Sequence, residues 1–182
     1  MTFHTPVMVQ ECLSCLNLRA GHIYVDTTTG GGGHSLAMLK AQPEIKLYCF
    51  DQDIEAIEEA GKKLNNYPDV ELIHSNFKQL RTELAYRKVK GIDGILFDLG
   101  VSSHQLESAE RGFSFEKDAP LDMRMDKNLN YNAYNAVNEL DAKTLTRIFR
   151  DYGEEQNAYR IAKAIEKSPK PIKTTSELAK IV

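Results

Sequence analysis

The sequence lacks the features that mark a membrane protein, a disulfide-stapled domain or a nucleic-acid coat. No apolar run approaches the roughly 18 residues that cross a bilayer. The N-terminus carries no signal-peptide pattern, so the expected location is cytoplasmic. Only three cysteines occur in 182 residues, at positions 12, 15 and 49, and they make no disulfide framework. Cys12-x-x-Cys15 is half of a zinc spacing without a second pair; it reads as one face of a short helix, and no metal site is expected. Neither sign of charge dominates: 23 basic and 26 acidic side chains leave a net charge of −3, which argues against nonspecific coating of nucleic acid. Any such contact has to come from a local basic patch, for which Arg111, Arg124, Arg147, Arg150 and Arg160 are candidates. Internal repeats and low-complexity segments are also missing.

What the chain does have is a run of four contiguous glycines. Asp26-Thr27-Thr28-Thr29-Gly30-Gly31-Gly32-Gly33-His34-Ser35 follows Ile23-Tyr24-Val25, which reads as a buried strand. It precedes Leu36-Ala37-Met38-Leu39, which reads as a helix. Strand, glycine turn and helix together let backbone N–H groups come close to a ligand, as in the first loop of a nucleotide-type α/β fold. A phosphate-gripping loop needs G-x-x-x-x-G-K-[ST], but position 34 is His. A dinucleotide fingerprint needs a third small residue for helix packing, but position 35 is Ser. The loop therefore suits a ligand without a pyrophosphate, and S-adenosylmethionine is one. A plain glycine connector is the bland alternative.

Asp51 strengthens the ligand reading. It ends a second strand, Leu47-Tyr48-Cys49-Phe50, about 20 residues past the glycines, where an acidic side chain accepts from ribose hydroxyls in such folds. Asp53 reads as a helix N-cap. Strands are expected near 22–26, 46–50, 70–74 and 92–97, with helices between them. Ligands bind beyond the carboxyl ends of such strands, and Asp26, Asp51, Phe77 and Asp98 all fall there.

After residue 103 strand signals stop. Leu145, Ile148, Phe149 and Tyr152 recur at helical spacing, as do Ala158, Ile161, Ala162 and Ile165. Thr174-x-x-Glu177 reads as a capping box. The expected organisation is a Rossmann-like ligand-binding part over 1–103 and a helical insert over 104–182; residues 99–132 form a stretch with little regular structure, of a length found in functional loops.

Several segments are specific enough to carry a family resemblance. They are His4-Thr5-Pro6-Val7 with Glu11, the glycine loop through Ser35, Asp51-x-Asp53, Asn76-Phe77, Asp98-Leu99-Gly100-Val101-Ser102-Ser103 with Gln105-Leu106, Arg111-Gly112-Phe113-Ser114-Phe115, Pro120-Leu121-Asp122-Met123-Arg124-Met125-Asp126, and Tyr152-Gly153-Glu154-Glu155. In these the chain resembles the small-subunit ribosomal RNA cytosine-N4 methyltransferases, the MraW or RsmH family. The resemblance implies a class I methyltransferase sheet, part of it present here, with a helical insert for substrate recognition. It also implies an enzyme that uses S-adenosylmethionine to methylate the N4 amino group of a cytidine in the decoding region of 16S ribosomal RNA. Gly32, Gly33, His34, Asp51, Phe77, Asp98 and Gln105 fall on the family's cofactor positions; for His34 this comes from the resemblance alone. The implied partner is small-subunit ribosomal RNA or the assembling 30S subunit, with a homodimer as a further expectation and no membrane.

His104, Glu107, Gln156, Thr28 and Thr29 depart from the family pattern without touching the cofactor positions. Family members continue well beyond residue 182, returning to the sheet, so the resemblance implies a chain shortened at its C-terminus. Were it whole, the fourth strand would be an uncovered edge. Asp98, or a backbone carbonyl at Leu99 or Gly100, is the candidate acceptor for the cytosine amino hydrogens, with a purely cofactor-binding Asp98 as the alternative. Phe113 and Phe115 are either stacking partners for a splayed cytidine or core residues. Two other functions compete. One is a catalytically inactive relative that binds cofactor or RNA; the other is a nicotinamide dehydrogenase, which Ser35 and the long loop after the fourth strand disfavour.

Overall fold

The computed structural model describes residues 6–182, which fall into two compact units divided between Ser102 and Ser103. His4 and Thr5, part of the segments that carry the resemblance, lie outside the described residues.

The first unit alternates helix and strand: α1 Val9–Leu16, β1 Ile23–Asp26, α2 Gly33–Ala41, β2 Lys46–Asp51, α3 Ile54–Leu64, β3 Val70–His74, a 3₁₀ turn Phe77–Gln79, α4 Leu80–Tyr86 and β4 Gly94–Leu96. All pairings are parallel, in the order β3-β2-β1-β4. Val25 lies level with Tyr48 on one side and Ile95 on the other. The chain runs outward from β1 through β2 to β3, then crosses to pair β4 with β1. That reversal is the switch point of a doubly wound, Rossmann-like sheet, beside which ligands bind.

β1 and β2 are apolar on both faces because both are covered. Tyr24, Leu47 and Cys49 join Met38, Leu39, Ala60 and Leu64 of α2 and α3 in one core layer. Their neighbours Val25, Tyr48 and Phe50 join Ile73 and Leu84 of α4 in the other. The period-2 alternation of β2 thus feeds two cores, and each large side chain so buried contributes about 1.5–3 kcal/mol before entropy is counted. Cys12 and Cys15 lie on α1, as their spacing suggested.

The second unit contains α5 Ser103–Glu107, a 3₁₀ turn Ala109–Arg111, α6 Ala133–Glu139, α7 Ala142–Asp151, α8 Ala158–Lys167 and α9 Thr175–Ala179. Leu121, Val137, Leu145, Ala162, Ile165 and Ile172 form its core. Thr174 and Glu177 make the expected capping box on α9, and Asn132 with Asn135 makes a second on α6. Pro120 and Thr174 form an antiparallel bridge, flanked by Thr175 N–H donating to Ala119 O at 2.8 Å. Tyr152 does not extend the apolar stripe of α7: it caps the helix and is 85% exposed, because α7 ends one residue before it. No helix among the described residues is long and apolar enough to cross a membrane.

Candidate functional site

Asp26 closes β1 and is fully buried. Its Oδ2 accepts the Ser35 hydroxyl at 2.6 Å and its Oδ1 accepts the Thr28 amide at 3.2 Å. Ser35 lies 3.3 Å from Cys49 Sγ. Burial pushes the Asp26 carboxyl up to about 6 and the Cys49 thiol up to about 12. Asp26 therefore sits beneath the glycine turn. The expectation that all four strand ends offer groups to a ligand is corrected for this one. Ser35, at odds with a dinucleotide fingerprint, is there to satisfy a buried carboxylate.

The turn above is fixed to both neighbouring strands. Thr29 N–H donates to Phe50 O at 2.9 Å, and Thr27 donates to Leu96 O through N–H at 3.0 Å and Oγ1 at 2.7 Å. Asp98 N–H donates to Thr28 Oγ1 at 2.7 Å. Thr27, with Thr28 and Thr29, the two read from sequence as departures from a family pattern, ties the loop to the exits of β2 and β4. Gly32 has φ +78° and caps α2; a Cβ there would meet Ala60 Cα at 3.3 Å. A Cβ on Gly33 would come within 3.0 Å of the Pro6 ring.

Asp51 anchors the same turn. Oδ2 accepts from Gly30 N–H at 2.8 Å, and Oδ1 accepts from Asp53 N–H at 2.9 Å. Burial raises its carboxyl above the ordinary range, against these N–H donors, which lower it. A carboxylate has about four lone-pair sites, so two bonds leave acceptor capacity for ligand hydroxyls. Asp53 does cap α3, accepting from Glu55 N–H at 3.1 Å.

Beyond β3, Asn76 caps the 3₁₀ turn that Phe77 opens. The Phe77 ring meets Phe97 edge-on, centroids 5.7 Å apart at 84°. Phe97 is 46% exposed, and sequence reading missed it; its place just before Asp98 was the available signal. His34, the second residue of α2, is nearly buried. Its Nε2 lies 3.5 Å from Asp98 Oδ2, on a side chain 37% exposed. Gly32, Gly33, His34, Asp51, Phe77 and Asp98 are thus assembled at one end of one sheet. The assembly offers bare glycine backbone, two carboxylates and an aromatic edge. Gln105 belongs to the second unit, where it is the buried residue of α5. No group of three or more metal-ligating side chains occurs among the described residues.

In the second unit the expected basic patch divides. Arg111 is 1% exposed, with its guanidinium donating to Arg124 O and Met125 O, each at 3.0 Å. Arg124 pairs with Asp122 at 2.6 Å. Both arginines are scaffolding for the 120–126 loop and leave the list of nucleic-acid candidates. Gly112, at φ +71°, packs so closely that a Cβ would strike Pro120 O and lie 2.9 Å from Asp122 N. Phe113 is half-buried, whereas Phe115 is 71% exposed and is no core residue.

Three relatives are similar to this chain in sequence. The chain is 47% identical to ribosomal RNA small subunit methyltransferase H of Clostridioides difficile (strain 630), over 98% of this chain and 59% of that protein. It is 49% identical to the protein of that name from Syntrophotalea carbinolica (strain DSM 2380 / NBRC 103641 / GraBd1), over 98% of this chain and 58% of the relative. The Syntrophus aciditrophicus (strain SB) protein is 48% identical, over 100% and 59%. The chain therefore spans about three fifths of the length of the relatives it matches. The profile of the MraW methylase family matches residues 1–182, and the chain belongs to that family.

Proposed function

We propose that this chain forms the cofactor-binding part and the helical unit of an S-adenosylmethionine-dependent enzyme that methylates the N4 amino group of a cytidine in the decoding region of small-subunit ribosomal RNA. The observation that carries the reading is the convergence of the glycine turn, Asp51 and the His34–Asp98 pair at the carboxyl ends of the strands. Such a reaction runs on assembling small subunits in the cytoplasm.

The residues suit that cofactor. Asp51 holds the turn through two backbone N–H groups and keeps lone pairs for ribose hydroxyls. Gly32 and Gly33 let the backbone approach without a Cβ in the way. Phe77 and Phe97 offer an aromatic border for a base. The cofactor supplies a methyl group already activated on a sulfonium, so the protein has to position the amine and receive charge rather than generate a nucleophile. The cytosine amino lone pair is delocalised into the ring. An acceptor on its hydrogens holds it pyramidal and takes charge as the nitrogen becomes cationic. Asp98, half-exposed and backed by His34, is the group we assign to that acceptor role. Gln105, which falls on one of the family's cofactor positions, is assigned to the cofactor in the same reading.

The test is calorimetric titration with S-adenosylmethionine, then transfer of a labelled methyl group to small ribosomal subunits lacking the modification, with nucleoside digestion to identify N4-methylcytidine. Binding followed by N4 labelling supports the proposal. Binding without transfer identifies a relative that holds cofactor without turnover. NAD binding in place of S-adenosylmethionine overturns the methyltransferase reading.

A further inference from the structure

The α7–α8 hairpin carries a cationic groove that the site at the strand ends does not use. Lys143, Arg147 and Arg150 stand at i, i+4 and i+7 on α7, and Tyr159, Lys163 and Glu166 repeat that spacing on α8. This spacing sets each trio along one helix face. The two lines border one groove of about 860 Å³. Leu145 of α7 and Ala162 and Ile165 of α8 are buried in the core, so packing holds the two helices that carry these lines.

The charges within the groove do not cancel. Its carboxylates are Asp141 and Glu166, and both are engaged at the start of α7. Asp141 accepts from Thr144 N–H at 2.8 Å, and Glu166 accepts from Ala142 N–H at 3.4 Å and from Lys163 Nζ at 2.7 Å. Toward the end of α7, Arg150 meets Asp151 at 3.1 Å with both side chains largely in solvent, a pairing that water and salt weaken. Arg147 is exposed and has no ion pair among the described residues. Beside these arginines the Tyr159 ring is 63% exposed.

We propose that this groove grips the sugar–phosphate backbone of RNA, with Arg147 and Arg150 on phosphates and Tyr159 against a ribose or base. The proposal deepens the methyltransferase reading and rests on it for the choice of RNA. The guanidinium fork matches phosphate geometry, and exposed aromatics beside cations are the recurrent composition of single-strand binding surfaces. On a chain whose net charge is −3, a local positive groove orients a polyanion toward one face instead of attracting it everywhere.

The test is fluorescence anisotropy with a fluorescein-labelled single-stranded RNA of mixed sequence, over a potassium chloride series. The proteins are the parent chain, R147E/R150E, R147Q/R150Q, Y159A and the control K40E/K90E. Circular dichroism verifies the fold, and the glutamine pair avoids introducing new repulsion. The proposal expects R147E/R150E to bind about tenfold more weakly or worse, and R147Q/R150Q to show a salt slope shallower by about 1.4, two phosphates' worth for a single strand. Y159A should lose about fivefold in affinity at an unchanged slope. K40E/K90E, with the same change in net charge as R147E/R150E, should stay within about twofold of the parent. No RNA binding by the parent, parental affinity and slope in both arginine pairs, or an equal loss in K40E/K90E overturns it. So does binding of poly-L-glutamate that is lost in R147E/R150E while RNA affinity holds, which assigns the groove to an acidic protein. S-adenosylmethionine titrations run in parallel keep the two readings separate: the groove variants bind it like the parent, and failure of the parent to bind it fails the methyltransferase reading without touching the groove.

Discussion

Nε2 of His34 lies 3.5 Å from Oδ2 of Asp98, joining the first turn of α2 to the segment that leaves β4. Asp98 is held from behind as well, through its backbone N–H and Thr28 Oγ1. With its backbone held and an imidazole beside it, the Asp98 carboxylate keeps an exposed face toward solvent, where an acceptor of developing charge acts. D98N keeps the shape and removes the charge. Its methyl-transfer rate at saturating cofactor should fall by about a hundredfold or more. Single-turnover measurements give the answer, and a rate equal to the parent's excludes the acceptor role.

Asp51 holds the shape of the turn, and in the proposed reading it also accepts from the cofactor. D51N places an amide NH₂ where one of two backbone donors, Gly30 N–H or Asp53 N–H, now finds an oxygen. A buried donor left facing a donor costs about 1–3 kcal/mol. The dissociation constant for S-adenosylmethionine should rise by about tenfold or more by calorimetry, with a lower melting temperature in the absence of ligand. Weakened binding without any thermal change would mean that Asp51 serves the ligand alone.

Gly32 tests the turn without touching a charge. An alanine there has to adopt φ +78° and press on Ala60. G32A should lose about 1–2 kcal/mol in urea unfolding from the left-handed conformation alone, and more if α3 has to shift.

Asp26 gives a pH signature. Its carboxyl is raised from 3.8 to about 6 in the folded chain, so the folded state holds the proton more tightly than the unfolded one. The stability associated with the protonated form is complete below about pH 4 and is lost as pH rises through about 6. D26N does not titrate. Its Oδ1 can still accept from Thr28 N–H while its NH₂ donates to Ser35, freeing that hydroxyl for Cys49. The variant should gain on the parent by up to about 3 kcal/mol between about pH 4 and pH 7, measured as urea midpoints across that range. Parallel curves would show that Asp26 does not titrate there.

The four strands were legible because each holds a short apolar stretch with a polar residue within two positions of its end, a pattern that parallel sheets favour. The caps at Asp53 and at Thr174 with Glu177 were legible because their pattern is local. The burial of Asp26 was not. Strand-end carboxylates look alike in sequence, and only the distance from Ser35 Oγ separates Asp26 from Asp51. Arg111 was misplaced among the surface arginines for a similar reason: its partners are backbone carbonyls 13 and 14 residues away, which leave no mark on side-chain pattern. Phe97 was passed over as strand filler, although β4 ends at Leu96 and leaves the ring to meet Phe77.

Because Gly112 touches the backbone at Pro120 and Asp122 while Arg111 holds the carbonyls of Arg124 and Met125, these two stretches cannot drift independently. A saturation mutagenesis map should show intolerance at 111–112 rising and falling with intolerance at 120–125. A swap with a diverged homologue should succeed only when both stretches are exchanged together.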